Sequence, residues 1–309
     1  VPAAAQDEVG SVVVTTEVLG SVVEQLVDGV ADVTVIMPSG ANPHSYEASA
    51  RDAERMLDAD VLVSNGLELE EALTGLLETA EAEGVIWFQA AEHISVLDHD
   101  DEADHDDDHD EADHDDHDDD HDDDEADHDD EAGTHVDHGH GSEDPHIWTD
   151  PVVMVDVIEA LEPVLAEVGI DVSVGADALI TDLQALDTEV ADIVSVVPEE
   201  DRRLVTGHES LGYFADRYSF ELIGAVVPGL TTNGEPTARE LAELIEAIKT
   251  NDVPAVFAEV GTPQAVAEAV ASDSGAELVS LSTSELPEGG TYQDLIRDIA
   301  TTVAGALAG

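Results

Sequence analysis

Outside one histidine-dense stretch the chain carries four histidines: His44, His93, His146 and His208. Three of them sit in turns marked by Pro or Gly: NPHSYE (42–47), DPHIWTDP (144–151) and TGHESLGYFADRY (206–218). Proline before His44 and His146 restricts the approach of the backbone and helps preset the imidazole. His208 follows a glycine at a strand-to-helix turn. Three neutral imidazoles at roughly 2.0–2.1 Å suit Zn²⁺, whereas Mn²⁺ and Ca²⁺ prefer oxygen-rich shells. Imidazole ligates only when deprotonated, so affinity at such a site is expected to fall below about pH 6.5. His93, in AAEHIS (90–95), follows a strand without a rigid turn. It reads as a surface residue or as an outlying member of the histidine-dense set.

That set lies in 98–140, which holds 10 of the 14 histidines: His99, His105, His109, His114, His117, His121, His128, His135, His138 and His140. They alternate with 25 Asp and Glu, and the segment has no Lys or Arg. Such a composition cannot bury a core, so the segment is expected to be disordered. The acids alone would suit a solvated spacer, but a histidine every few residues adds a second kind of metal donor. Weak collection of metal at many sites is the expected role. A flexible tether of this length spans on the order of 35 Å, and its end lies beside Pro145 and His146. It could therefore present ions to a nearby site at high effective concentration.

The charge balance narrows the partners. Over 309 residues, 75 acidic side chains face 8 basic ones, a formal net charge of −67. Outside 98–140, 50 acids still face the same 8 bases, so the whole surface is acidic. Phosphate binding needs clustered Lys and Arg, which excludes nucleic acid as a partner, and an anionic lipid surface would repel the folded part. A single Lys, Lys249, with abundant Asp, Glu, Ala and Val fits a high-salt proteome, where a Debye length of about 3 Å at 1 M salt screens the self-repulsion. There is no Cys, hence no disulfide or thiolate site. No stretch reaches the roughly 18–20 apolar residues of a membrane span. VPAAAQ (1–6) reads as the start of a processed chain, with any signal or lipid-bearing Cys lying upstream.

The elements that must position the three turns follow a strand–helix–strand rhythm. Strands are expected at 11–15, 33–37, 61–64 and 85–88, with helices at 17–27, 48–57 and 69–80. A long helix is expected over about 174–197, with Leu179, Leu183, Leu186, Val190, Ile193 and Val197 on one stripe, ended by Pro198. A second set follows: strands at 204–206, 222–226, 255–258 and 277–281, and helices at 210–217, 237–250, 263–272 and from 292. The fold class is α/β, two lobes with parallel-type sheets joined by one long rigid helix. The expected units are 1–170 with the acidic segment 98–140, the linker helix 171–198, and 199–309. Ligands of such sheets bind beyond the carboxyl ends of strands, so the cleft between the lobes is the default site.

NPHSYE, DPHIWTDP and TGHESLGYFADRY, in this order around a His/Asp segment, closely resemble the cluster A-I (cluster 9) metal-binding proteins of ABC transporters, in their zinc-binding branch. The resemblance covers essentially the whole chain, and DPHIWTDP followed by a helix is its most specific part. It implies an extracytoplasmic, cell-surface protein, anchored through a residue upstream of this chain. It also implies a monomer that captures Zn²⁺ between its lobes and passes it to a membrane permease. The family's first three ligands fall on His44, His146 and His208. A carboxylate at the third position is typical of manganese-binding relatives, so His208 favours Zn²⁺. Members with a fourth protein ligand carry Asp in a loop resembling LYTDSL. Here that loop is LSTSEL (281–286), with Ser284 at the Asp position. Glu285 is the candidate fourth ligand, with water or a carboxylate behind the imidazoles as alternatives. Glu259, ending the strand at 255–258, is expected to support the ligands rather than to ligate.

Two rival readings stand beside this one. A Mn²⁺- or Fe²⁺-binding member of the same family differs only in its metal. A zinc hydrolase also uses three His and an open position, with Glu209 as the available base, but the chain has neither HExxH nor a nucleophile elbow.

Overall fold

The computed structural model describes residues 10–97 and 143–308. All ten histidines of the 98–140 segment lie outside the described residues.

The first lobe is built on four parallel strands, Gly10–Val14 (β1), Ala31–Val35 (β2), Val61–Ser64 (β3) and Ile86–Gln89 (β4), in the order β2-β1-β3-β4. Near-continuous apolar runs such as Val12-Val13-Val14 form strands here because both faces of the sheet are covered. Val12 and Val14 point into a large apolar cluster, while Val13 points the other way with Leu62 into a smaller one. The smaller cluster is closed by Met56 of helix Ala50–Leu57 (α2) and Leu77 of helix Thr74–Glu83 (α3). The larger one is shared by helix Glu17–Val27 (α1) and helix Pro151–Glu167 (α4).

Helix Ser173–Val194 (α5) runs along the molecule for about 33 Å at 1.5 Å per residue. Its buried residues, Ala176, Leu179, Leu183, Leu186, Val190 and Val194, recur every three or four positions and make one stripe. That stripe belongs to the same cluster as Val12 in the first lobe and Phe257 in the second. One continuous core therefore ties both lobes to α5.

The second lobe pairs Arg203–Thr206 (β5) with Glu221–Ala225 (β6), and Ala255–Ala258 (β7) with Glu277–Ser280 (β8), both in parallel. β5 lies alongside β7. Helix Gly212–Tyr218 (α6) covers the inner side. Helices Ala238–Thr250 (α7) and Gln264–Ser274 (α8) close an outer cluster around Val205, Val256 and Ile248. The last helix, Tyr292–Leu307 (α9), returns to pack on α5 and α1. Helix starts are written locally: Ser49 with Asp52, Thr237 with Glu240, and Thr291 with Asp294 form reciprocal caps.

Two elements depart from the sequence expectation. The helix expected over 69–80 begins as a short 3₁₀ turn, Glu71–Leu73, followed by α3. Leu67 and Glu68 hold left-handed backbone, φ 52° and 57°. Glu70 turns inward to accept from Thr15 Oγ1 (2.6 Å) and the Asn65 amide N–H (2.8 Å). A tertiary network thus overrides the local helix pattern, and burial raises the carboxyl pKa of Glu70. The second departure is α4, which is nearly as long as α5 and packs beside it. Beyond Asp150-Pro151, its capping residue and first helical residue, its extent was not anticipated.

Candidate metal centre

Parallel strands place their carboxyl ends at one edge, and in both lobes that edge faces the cleft. The turn after β2 carries His44, the turn after β5 carries His208, and Glu259 directly follows β7. His146 comes from the segment entering α4. Its backbone is fixed by a 3₁₀ turn, Ile147–Thr149, and by the Thr149 hydroxyl donating to the His146 carbonyl (3.0 Å).

The three histidines meet. His44 Nε2 is 3.3 Å from His146 Nε2, and His208 Nε2 is 3.1 Å from the same atom. The residues are 7%, 1% and 5% exposed for His44, His146 and His208, so all three are buried. Among the described residues they form the one group of three or more His, Cys, Asp or Glu able to share a metal ion. The small cleft they line, about 220 Å³, also touches Trp148, Thr283 and Ser284.

Carboxylates stand behind two of the rings. Asp144 Oδ1 is 2.7 Å from His146 Nδ1 and accepts the His146 backbone N–H at 2.9 Å. A carboxylate can only accept, so it holds the ring proton on Nδ1 and leaves the Nε2 lone pair facing the other two rings. Glu259 Oε2 lies 2.9 Å from His208 Nδ1, a short contact that is out of line for a hydrogen bond and leaves that nitrogen unsatisfied. Glu259 is itself held by Ser210 Oγ (2.6 Å) and the Gly207 amide N–H (3.3 Å). Burial, then the His146 and His208 rings, lower the His44 pKa from 6.5 to about 2. Burial thus disfavours a proton on the His44 ring. Three converging Nε2 atoms are a donor set for a divalent cation, which is the chemistry this site fits.

The other candidates fall elsewhere. Glu285 lies against Gly40, where a Cβ would sit 3.4 Å from Oε1, and it is not part of the histidine group. Ser284 lines the cleft. His93 is exposed and stacks on Phe88, with ring centroids 4.5 Å apart. Asp144 is the functional residue that sequence reasoning missed. The signal was present: Asn42-Pro-His44 and Asp144-Pro-His146 share one pattern, in which the Asn or Asp side chain accepts the histidine N–H two residues on.

A buried divalent-metal site between two α/β lobes on a long helix defines an extracytoplasmic solute-binding protein for metal ions. Residues 12–306 match the family model described as ZnuA, zinc-uptake complex component A, periplasmic, and the chain belongs to that family. It is 33% identical over 316 residues to the high-affinity zinc uptake system protein ZnuA of Paracoccus denitrificans, covering 98% of this chain and 93% of that one. It is 27% identical over 278 residues to the manganese-binding lipoprotein MntA of Halalkalibacterium halodurans, covering 88% and 79%. The fold matches the solved periplasmic zinc-binding protein TroA from Treponema pallidum, with TM-score 0.76, 23% identity and coverage of 97% and 99%. The family is that of metal-binding components of ABC uptake systems and is not enzymatic. The hydrolase reading, with Glu209 as base, is therefore set aside.

Proposed function

We propose that this protein captures Zn²⁺ through His44, His146 and His208 and delivers it to the permease of an ABC uptake system. The observation that carries this reading is the convergence of three buried Nε2 atoms with no carboxylate oxygen among them. An all-nitrogen set favours Zn²⁺ over Mn²⁺, which prefers oxygen donors. The manganese reading has its own support in the similarity to MntA, but the ligand chemistry weighs against it. The fourth position falls to water or to Glu285, whose carboxylate is one loop away. Glu259 and Asp144 support the imidazoles from behind.

The 98–140 segment is the collector, gathering ions weakly through its ten histidines and feeding the tight site. Its ends favour this role: the Asp144 N–H donates to the Leu97 carbonyl at 3.0 Å, two residues from His146. The span of α5 supports dividing the chain into 1–170, the linker 171–198 and 199–309. The net charge of −67 supports a working environment of high salt and a monomer kept apart from its copies by self-repulsion.

Competitive titration with Zn²⁺, Mn²⁺ and Fe²⁺ in high salt tests the assignment. One Zn²⁺ ion bound far more tightly than the other metals is the expected result. Tighter binding of Mn²⁺ would overturn the zinc reading.

A further inference from the structure

The histidine cleft is bounded on its outer side by a direct bond between the lobes. Asn42 Nδ2 donates to Thr232 Oγ1 at 2.8 Å. Asn42 belongs to the turn that carries His44, and its Oδ1 accepts the His44 backbone N–H at 3.1 Å. Thr232 belongs to the loop between β6 and α7 in the other lobe. Both residues line the cleft with the three histidines. The fit beneath them is close: Gly261, at φ +92°, sits where a Cβ would lie 2.8 Å from Thr232 Cγ2 and 2.9 Å from Asn42 Nδ2. Only glycine holds that backbone conformation without strain and leaves that space.

On the inner side a second bond crosses the cleft. Trp148 Nε1 donates to the Thr283 carbonyl at 2.7 Å. This inner link is buried, with Trp148 3% and Thr283 4% exposed. Asn42 and Thr232 are half-buried, so their bond is the one open to exchange with water. Both line the cleft that holds His44, so an ion leaving through that wall displaces their bond.

Resting on the three-histidine reading, we propose that Asn42 and Thr232 form a latch that sets how fast the bound ion escapes. Asn42 acts through His44 as a positioning residue. Its carboxamide holds the His44 turn with one end and the opposite lobe with the other, so the bond to Thr232 ties the position of that turn to the facing lobe. A neutral, partly solvated hydrogen bond of this kind alters an equilibrium about threefold to tenfold, and differences of affinity at one site fall mostly on dissociation.

The test measures Zn²⁺ release from the full chain into excess chromogenic chelator, with association followed separately. Thr232→Val removes the hydroxyl but keeps the shape. It is expected to speed release about threefold to tenfold, with association within about twofold and the melting temperature of the metal-free protein lowered by no more than a few degrees. Thr232→Ser restores the hydroxyl and is expected to restore the wild-type rate. In an Asn42→Ala background, Thr232→Val is expected to add nothing. Release from Thr232→Val at the wild-type rate overturns the latch, as does an undiminished effect of Thr232→Val in Asn42→Ala. If the wild type has no tight site, the three-histidine reading fails and the latch falls with it. A tight site with unchanged release overturns the latch alone.

Discussion

Asp144 Oδ1 takes two hydrogen bonds from one residue, the backbone N–H of His146 at 2.9 Å and its ring Nδ1 at 2.7 Å. The same carboxylate oxygen therefore sets the position of the turn and the tautomer of the imidazole. A ring held in this way has its Nε2 lone pair oriented before the metal arrives, which lowers the entropic cost of binding.

Replacing that carboxylate should weaken the site without removing a ligand. Asp144→Ala is expected to lower Zn²⁺ affinity roughly 10- to 100-fold, and Asp144→Asn by less, because its amide oxygen can still accept. Glu259→Gln is expected to cost about tenfold through His208. Chelator-competition titration of the three variants checks the order. Wild-type affinity in Asp144→Ala would mean that the carboxylate has no part in presenting His146.

Gly212, the first residue of α6, offers a way to disturb Asp144 from the opposite side. A Cβ built there would fall on Asp144 Oδ2. Gly212→Ala should displace the carboxylate and lower both stability, by about 1–3 kcal/mol, and Zn²⁺ affinity. Calorimetric melting with and without metal measures both. Unchanged affinity beside a lowered melting temperature would separate α6 packing from the site.

The metal-free protein should lose stability in acid through His44. In the unfolded chain His44 takes a proton below about pH 6.5, but in the folded chain only near pH 2. The unfolded state binds the extra proton between those values, so stability falls as pH drops, by about 1.4 kcal/mol per unit. Protonation of surface carboxylates acts in the opposite sense by easing self-repulsion, so the comparison is made against His44→Gln in high salt. From pH 6.5 to about 5, denaturant unfolding should show the wild type losing about 2 kcal/mol more than the variant. Parallel pH profiles would contradict the burial of a neutral His44.

Much of this site can be read in the sequence because its turns are local devices. Asn42-Pro-His44 and Asp144-Pro-His146 carry the acceptor that forms the turn, the proline that stiffens it and the ligand within three residues. Strand-to-helix rhythm placed His44 and His208 at strand ends, and the apolar stripe of α5 was legible from Leu179 to Val190. What escaped depends on contacts distant in sequence. Glu70 delays α3 because Thr15, 55 residues earlier, gives it a partner. The bond between Asn42 and Thr232 joins residues 190 apart, and neither has a neighbour that announces it. Glu285 stands as a candidate fourth ligand beside water, because sequence gives its adjacency to Ser284 but not the direction in which its side chain leaves the loop; in the structure its carboxylate lies against Gly40.

The central claim is that three histidine nitrogens, and not the acidic segment, hold the ion. Zinc K-edge X-ray absorption on the protein lacking 98–140, loaded with one equivalent of Zn²⁺, tests it most directly. Three imidazole nitrogens at about 2.0 Å with one light-atom neighbour are predicted, with loss of that shell in His208→Ala. An oxygen-dominated shell, or a deleted protein that no longer retains the ion, would contradict it.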